Sequence, residues 1–214
     1  MYFCDDIDLV PWEPAIFLQT AFAHQTLIKQ ASATLTGTAL VASDPVLGVL
    51  LPGMVMNVAT ADDSLSQLLE VVSVADTTHA VLSALRGRNG EAAIPPLTGG
   101  SVKITLVTFR PQIAAVGDQL LALLGISSDR ATDPAPASAG LAGFRLATVF
   151  GTLAALYRTL ADTADATSLT LAKKTFYDNL FGAARRAISG TVDADADGTP
   201  ETVRRADAPL LQRA

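Results

Sequence analysis

Ala33-Thr34-Leu35-Thr36-Gly37-Thr38-Ala39-Leu40 is the stretch on which the fold turns. Small apolar and hydroxyl side chains alternate through it. A period of two puts one set on each side of a half-exposed strand, whereas a helix would need a period near 3.6. The theme returns before residue 110. Residues 54–60 repeat it after the Pro52-Gly53 turn, and 68–74 and 80–85 are β-rich runs around the polar turn Asp76-Thr77-Thr78-His79. Val102, Ile104 and Leu106 then alternate with Lys103, Thr105 and Val107. Five short runs with tight turns, and no helix between them, predict a small antiparallel barrel or sandwich over 33–109.

Outward from that block the periodicity is helical. Residues 1–32 read as an N-terminal segment and a helix over 13–30, with Pro14 suited to its first turn and Ile16, Phe17, Phe22, Leu27 and Ile28 as its apolar side. Residues 110–130 read as a second helix, with Ile113, Val116, Leu120 and Leu124 on one face and Gly125 at its end. The Pro/Ala/Ser/Gly segment 131–140 is a linker loop and the main internal boundary. In 141–190, Leu146, Val149, Phe150, Leu153, Leu156, Tyr157 and Leu160 oppose Arg145, Thr152, Arg158 and Thr159. A polar joint at 162–167 leads to Leu169, Phe176, Leu180, Ala184 and Ile188, so the two helices should pack as an antiparallel hairpin. Residues 191–214 are a polar, turn-rich arm. The whole reads as α+β: a helical hairpin or bundle with an inserted small antiparallel β-barrel or sandwich and an extended C-terminal arm.

Composition narrows the function classes. Half of the 214 residues are hydrophobic, 37 are alanine, 17% are charged and 6% aromatic, which argues against wholesale disorder. The net charge of −6 argues against a nucleic-acid coat or an anionic-membrane binder. Two histidines and one cysteine exclude a classical His/Cys zinc site and an internal disulfide. The start, Met1 to Asp8, is acidic where a secretory leader would be basic. No apolar run approaches the roughly 18 residues of a membrane span, since 46–58 is broken by Gly48, Pro52, Gly53 and Asn57. No membrane partner and no cofactor are therefore expected, and Cys4 reads as a small residue in a reducing compartment. The charge is uneven: residues 1–130 carry 6 Lys/Arg against 12 Asp/Glu, and 131–214 carry 9 against 9.

Five local signals bear on chemistry. Asp193, Asp195 and Asp197 before Gly198 open like a calcium loop with Glu201 at the ninth position, but the twelfth, which should be a bidentate Glu, is Arg204. The alternatives are a weak calcium site and a solvated acidic turn. His24 and His79 neighbour no nucleophile motif; a serine hydrolase using one of them with an aspartate is the residual enzymatic reading. Arg86-Gly87-Arg88-Asn89-Gly90 is a basic turn without the Lys-Ser/Thr ending of a phosphate loop. Lys173-Lys174 and Arg185-Arg186 read either as an ordinary polar helix face or as a docking face for an acidic partner. In the tail, Arg204, Arg205, Leu210, Leu211 and Arg213 combine an apolar pair with arginines, as a docking arm does; a frayed terminus is the alternative.

The order of segments is similar to that of a known family. Asp8-Leu9 and Glu13-Pro14 come first, then Gly53-Met54-Val55, Glu70-Val71, Thr77-Thr78 and Ala80-Val81-Leu82 running into Arg86-Gly87. Thr108-Phe109-Arg110-Pro111-Gln112-Ile113, Leu120-Leu121 and Leu124-Gly125-Ile126 follow, and the chain closes with a helical hairpin, Asp197-Gly198 and arginines. Over residues 5–213 the layout resembles the head–tail adaptor (connector) proteins of tailed bacteriophages, prophages and gene transfer agents. The resemblance implies a non-enzymatic virion component at the neck, made in the host cytoplasm. Its partners would be the portal protein, a tail-side neck protein and its own copies in a ring, commonly of twelve, with packaged DNA passing through the lumen without specific binding. It further implies that 140–190 forms the ring and that 191–214 docks on the portal through Arg204, Arg205, Leu210, Leu211 and Arg213. The rivals are a tail-completion or stopper protein of the same neck and, from another class, a small-ligand or carbohydrate-binding β domain with a helical appendage.

Overall fold

In the computed structural model the described residues are 3–87, 90–97, 99–124, 141–162, 167–192 and 202–205. The chain divides into two compact units, one running from Asp5 to Phe109 and the other comprising residues 1–4 with everything from Arg110 onward.

The first unit is a closed barrel of six antiparallel strands: β1 (Thr26–Thr36), β2 (Ala39–Ala42), β3 (Val55–Thr60), β4 (Ser66–Val74), β5 (His79–Ser83) and β6 (Gly100–Val107). Their order around the barrel is β1-β2-β5-β4-β3-β6, and β6 pairs back onto β1, so no strand edge is left open. The decisive stretch is the hairpin of β1 and β2, in register at Leu35↔Leu40 and Thr36↔Ala39. Gly37 supplies the positive φ of +57° that a two-residue loop of this kind demands. Alternation sorts the side chains as the period requires. Leu35, Leu40, Met56, Val58, Leu69 and Ile104 are at most 1% exposed and fill the interior, while Thr34, Thr36 and Ala39 face out.

The N-terminal stretch of this unit is bound to the barrel by a buried carboxylate. Asp6 Oδ2 accepts from Thr108 Oγ1 at 2.7 Å and Asp6 Oδ1 from the Phe109 amide at 2.8 Å. Phe109 in turn meets Phe17 and Phe22 edge-on, with ring centroids 5.3 Å apart in each pair.

The second unit holds three helices, α1 (Arg110–Leu123), α2 (Leu141–Ala161) and α3 (Ser168–Arg186), and a ribbon of β7 (Ser189–Val192) and β8 (Thr202–Arg205). Helix α3 starts where the Thr167 hydroxyl accepts from the Thr170 amide. Helices α2 and α3 run antiparallel, with Tyr157 stacked on Tyr177 at 5.6 Å and Gly151 against Phe181. Position 151 admits only glycine comfortably, because a Cβ there would lie 2.6 Å from Val116 Cγ1 of α1 and 2.8 Å from Phe181 Cε2 of α3. Among the described residues no helix is long and apolar enough to cross a membrane.

Four expectations are corrected. The fold is not a helical bundle carrying an inserted barrel or sandwich and trailing an extended arm. It is a mixed α+β chain whose N-terminal half is itself a closed six-stranded barrel, followed by three helices. Residues 202–205 belong to no extended arm: they pair with 189–192 as β8 on β7. The helix predicted over 13–30 does not form. Pro14–Phe17 and Thr20–Gln25 are short 3-10 turns, and Thr26 begins β1. There Ile28 is buried while Leu27 is exposed, because pairing with β6 outweighs a weak helical pattern. Thr152, read as part of a polar helix side, is also fully buried in α2, which is apolar almost all round.

Candidate interaction surfaces

Several polar side chains of the barrel unit serve its turns. Asp76, Thr78 and His79 form the β4–β5 turn, where Asp76 Oδ1 accepts from the Thr78 amide (2.7 Å), the Thr78 hydroxyl (2.9 Å) and the His79 amide (2.8 Å). His79 Nδ1 lies 3.0 Å from the Thr78 hydroxyl and 3.0 Å from each Asp76 oxygen. A catalytic triad sends its carboxylate and its nucleophile to opposite ring nitrogens. Here both crowd onto one, and the group works as a turn. The Thr78 amide, then His79 and the Thr78 hydroxyl, hold the Asp76 carboxyl well below the usual carboxylate range. Asp62, in the β3–β4 turn, is lowered to about 2, chiefly by the hydroxyls of Thr60 and Ser64. His24 is exposed.

The basic turn also has a structural role. Arg86 forks onto Glu70 of β4, Nε to Oε2 at 3.0 Å and Nη2 to Oε1 at 2.5 Å, with both side chains nearly closed to water. Its Nη1 donates to the Glu91 carbonyl, and the Glu91 carboxylate accepts from the Gly87 amide. The Glu70 carboxylate raises Arg86 above its ordinary value. Among the described residues no cluster of three or more His, Cys, Asp or Glu is placed to hold a metal.

Surfaces are more informative than pockets. Tyr177 and Phe181 form the buried side of α3, and Ile188 just past its end is buried too. A different stripe, Leu169, Ala172, Phe176, Leu180, Ala183 and Ala187, follows helical spacing around the same rod. In it Leu169 is 63% and Phe176 53% exposed. Cations border the stripe. Lys173 Nζ donates to the Tyr157 hydroxyl at 3.2 Å and sits 5.4 Å over its ring, and Arg186 is exposed on the far side. Lys174 and Arg158 converge on Asp178, at 3.7 and 2.6 Å, and Arg185 lies over Phe181. Helix α3 thus carries four cations and one anion.

Of the residues singled out for docking, Arg204 and Arg205 lie in β8, opposite Gly190 and Ser189. Leu210, Leu211 and Arg213 lie outside the described residues, as do Asp193, Asp195, Asp197 and Glu201 of the calcium-like run. Two features escaped sequence reading. The Glu70–Arg86 lock joins residues 16 apart, and the Asp6 clamp spans 102 residues, so neither leaves a local pattern. Of the apolar side expected to pack inward (Leu169, Phe176, Leu180, Ala184 and Ile188), Ile188 is buried, whereas Leu169 and Phe176 face solvent. In comparisons with known proteins, no family model, no curated protein and no solved structure matches the chain.

Proposed function

We propose that the chain is a head–tail adaptor of a tailed bacteriophage, prophage or gene transfer agent, a structural virion component joining portal to tail. The observation that carries this reading is the face of α3. A helix already buried along one side exposes a second apolar stripe edged with cations, and contiguous exposed apolar surface marks a docking site. The engagement of Asp6, Asp62, Asp76, Glu70 and Arg86 in turns and locks supports the same reading. Adaptor work is geometric: identical subunits meet through heterologous faces, and a terminal segment orders only on its partner. In this role the acidic balance of the chain limits adhesion to packaged DNA, since like charges repel.

The experiment removes residues 206–214 and leaves β8 paired with β7. The shortened chain is expected to keep its circular dichroism and melting temperature but to be missing from portal-containing particles. Undiminished incorporation would sink the adaptor reading. Incorporation with failure to attach tails would assign the chain to the stopper role instead.

A further inference from the structure

We propose that the apolar, cation-edged face of α3 docks on the acidic end of the barrel unit of a second copy of this chain. The contact rests on the adaptor reading for its biological setting, while the two surfaces are argued from the chain itself.

The receiving surface is built by three segments gathered at one end of the barrel. The β2–β3 connection runs beside the β4–β5 turn: the Leu47 amide donates to the Thr77 carbonyl at 2.8 Å, and the Gly48 Cβ position lies 3.3 Å from Thr77 Cγ2. The N-terminal stretch joins them where the Ile7 amide donates to the Gly53 carbonyl at 3.0 Å. Segments 5–13, 43–54 and 75–78 together contain no lysine or arginine. They present Asp44 and Asp76 to solvent, and in the β2–β3 connection Val49 and Leu51 are 47% and 48% exposed. The hydrogen bonds around Asp76 keep its carboxylate charged across the physiological range. Exposed apolar side chains and two exposed carboxylates thus share this end of the barrel.

The entering surface is the opposite in charge and the same in kind. Leu169, Phe176 and Leu180 supply apolar contact, and Lys173 and Arg186 border them. The excess cations belong to α3 itself, since the second unit as a whole is balanced, with eleven Lys/Arg against eleven Asp/Glu. The barrel unit holds ten Asp/Glu against four Lys/Arg, a balance of −6, while α3 holds four Lys/Arg against one Asp. Complementary charge steers and registers an encounter, and burial of the apolar centres holds it. A face that matches a different face on an identical chain makes a heterologous, head-to-tail contact. A symmetric α3-on-α3 pairing would instead bring Lys173 and Arg186 of two copies together at the same seam.

Sedimentation velocity of the full chain at high micromolar concentration is the test. The wild-type chain is expected to associate at low salt and to dissociate as salt rises. Asp44→Lys and Arg186→Glu, each alone, should raise the dissociation constant roughly tenfold, the loss of one charge contact. An equimolar mixture of the two should recover association, because each keeps one intact face and the altered faces have exchanged charge. Phe176→Asp should abolish association with circular dichroism unchanged. A chain that stays monomeric at low salt overturns the proposal. So does association that Phe176→Asp removes but both charge reversals leave untouched, which would mark an α3–α3 contact. Removing 206–214 should leave self-association intact, so this proposal and the portal-docking reading fail separately.

Discussion

Removing either end of the Glu70–Arg86 pair strands a charge in a place closed to water. Arg86→Ala leaves the Glu70 carboxylate without its fork and frees the Glu91 carbonyl that Arg86 also holds. A broken buried pair typically costs about 3–5 kcal/mol, and we expect that loss in urea denaturation monitored by circular dichroism. Replacing both partners with apolar residues, Glu70→Leu with Arg86→Met, should cost less than either single change, because no charge is then left buried. A double variant less stable than Arg86→Ala would show that the lock contributes more than mutual neutralisation. At this scale the sequence was partly readable. Arg86 stands out in its basic turn, but its partner lies on the neighbouring strand β4, where the bulged register of the β4–β5 pair puts Glu70 opposite Ser83. Asp6 was less visible still: nothing near it announces a clamp on the end of β6.

Among the elements, β1 and α3 show why pattern reading succeeds in one place and fails in another. The β1–β2 hairpin was legible because alternation and a glycine turn agree over eight residues. The first half of β1 was not. Register shifts between Thr26 and Ile28 and again between Ile28 and Ala31, with Gln30 at a φ of +50°, break the period of two on which a strand is recognised. What remained looked like a poor helix. In the second unit, helical spacing was readable throughout, but which stripe of α3 faces inward is settled by its neighbours, not by its spacing. Gly151 is the tightest of those contacts. Gly151→Ala adds a methyl group into Val116 and Phe181, both packed side chains with little room to retreat. Overpacking of this kind costs about 1–3 kcal/mol, more than alanine gains over glycine in a helix, about 1 kcal/mol. The expected result is a lower melting temperature despite a better helix former. A rise would mean that the three helices approach less closely at this residue than the packing requires.

For the whole molecule the division at Phe109 and Arg110 has a thermodynamic meaning. The barrel closes on itself through β1 and β6, so it needs no partner to satisfy a strand edge. Its interior is its own: the core cluster from Ile28 to Leu106 draws only on barrel strands and the β2–β3 connection. Its two ends are also tied together within the unit, since Asp6 near the start bonds Thr108 and Phe109 at the finish. A segment with a closed sheet, a private core and pinned ends should fold without the rest of the chain. Residues 5–109 expressed alone are therefore expected to give a cooperative thermal transition and a dispersed amide NMR spectrum. Asp6→Ala in that fragment should lower its stability by about 2–4 kcal/mol, because the Thr108 hydroxyl and the Phe109 amide lose a charged acceptor in a buried place. A fragment that unfolds would show that the helical unit supplies part of the barrel's stability. A fragment that folds equally well with and without Asp6 would show that closure of the sheet alone holds the ends. The charge partition gives the same separation a use. The −6 resides in the barrel unit, while α3 carries four cations against one anion, so a barrel that folds on its own and the α3 face offer opposite charge to whatever they meet.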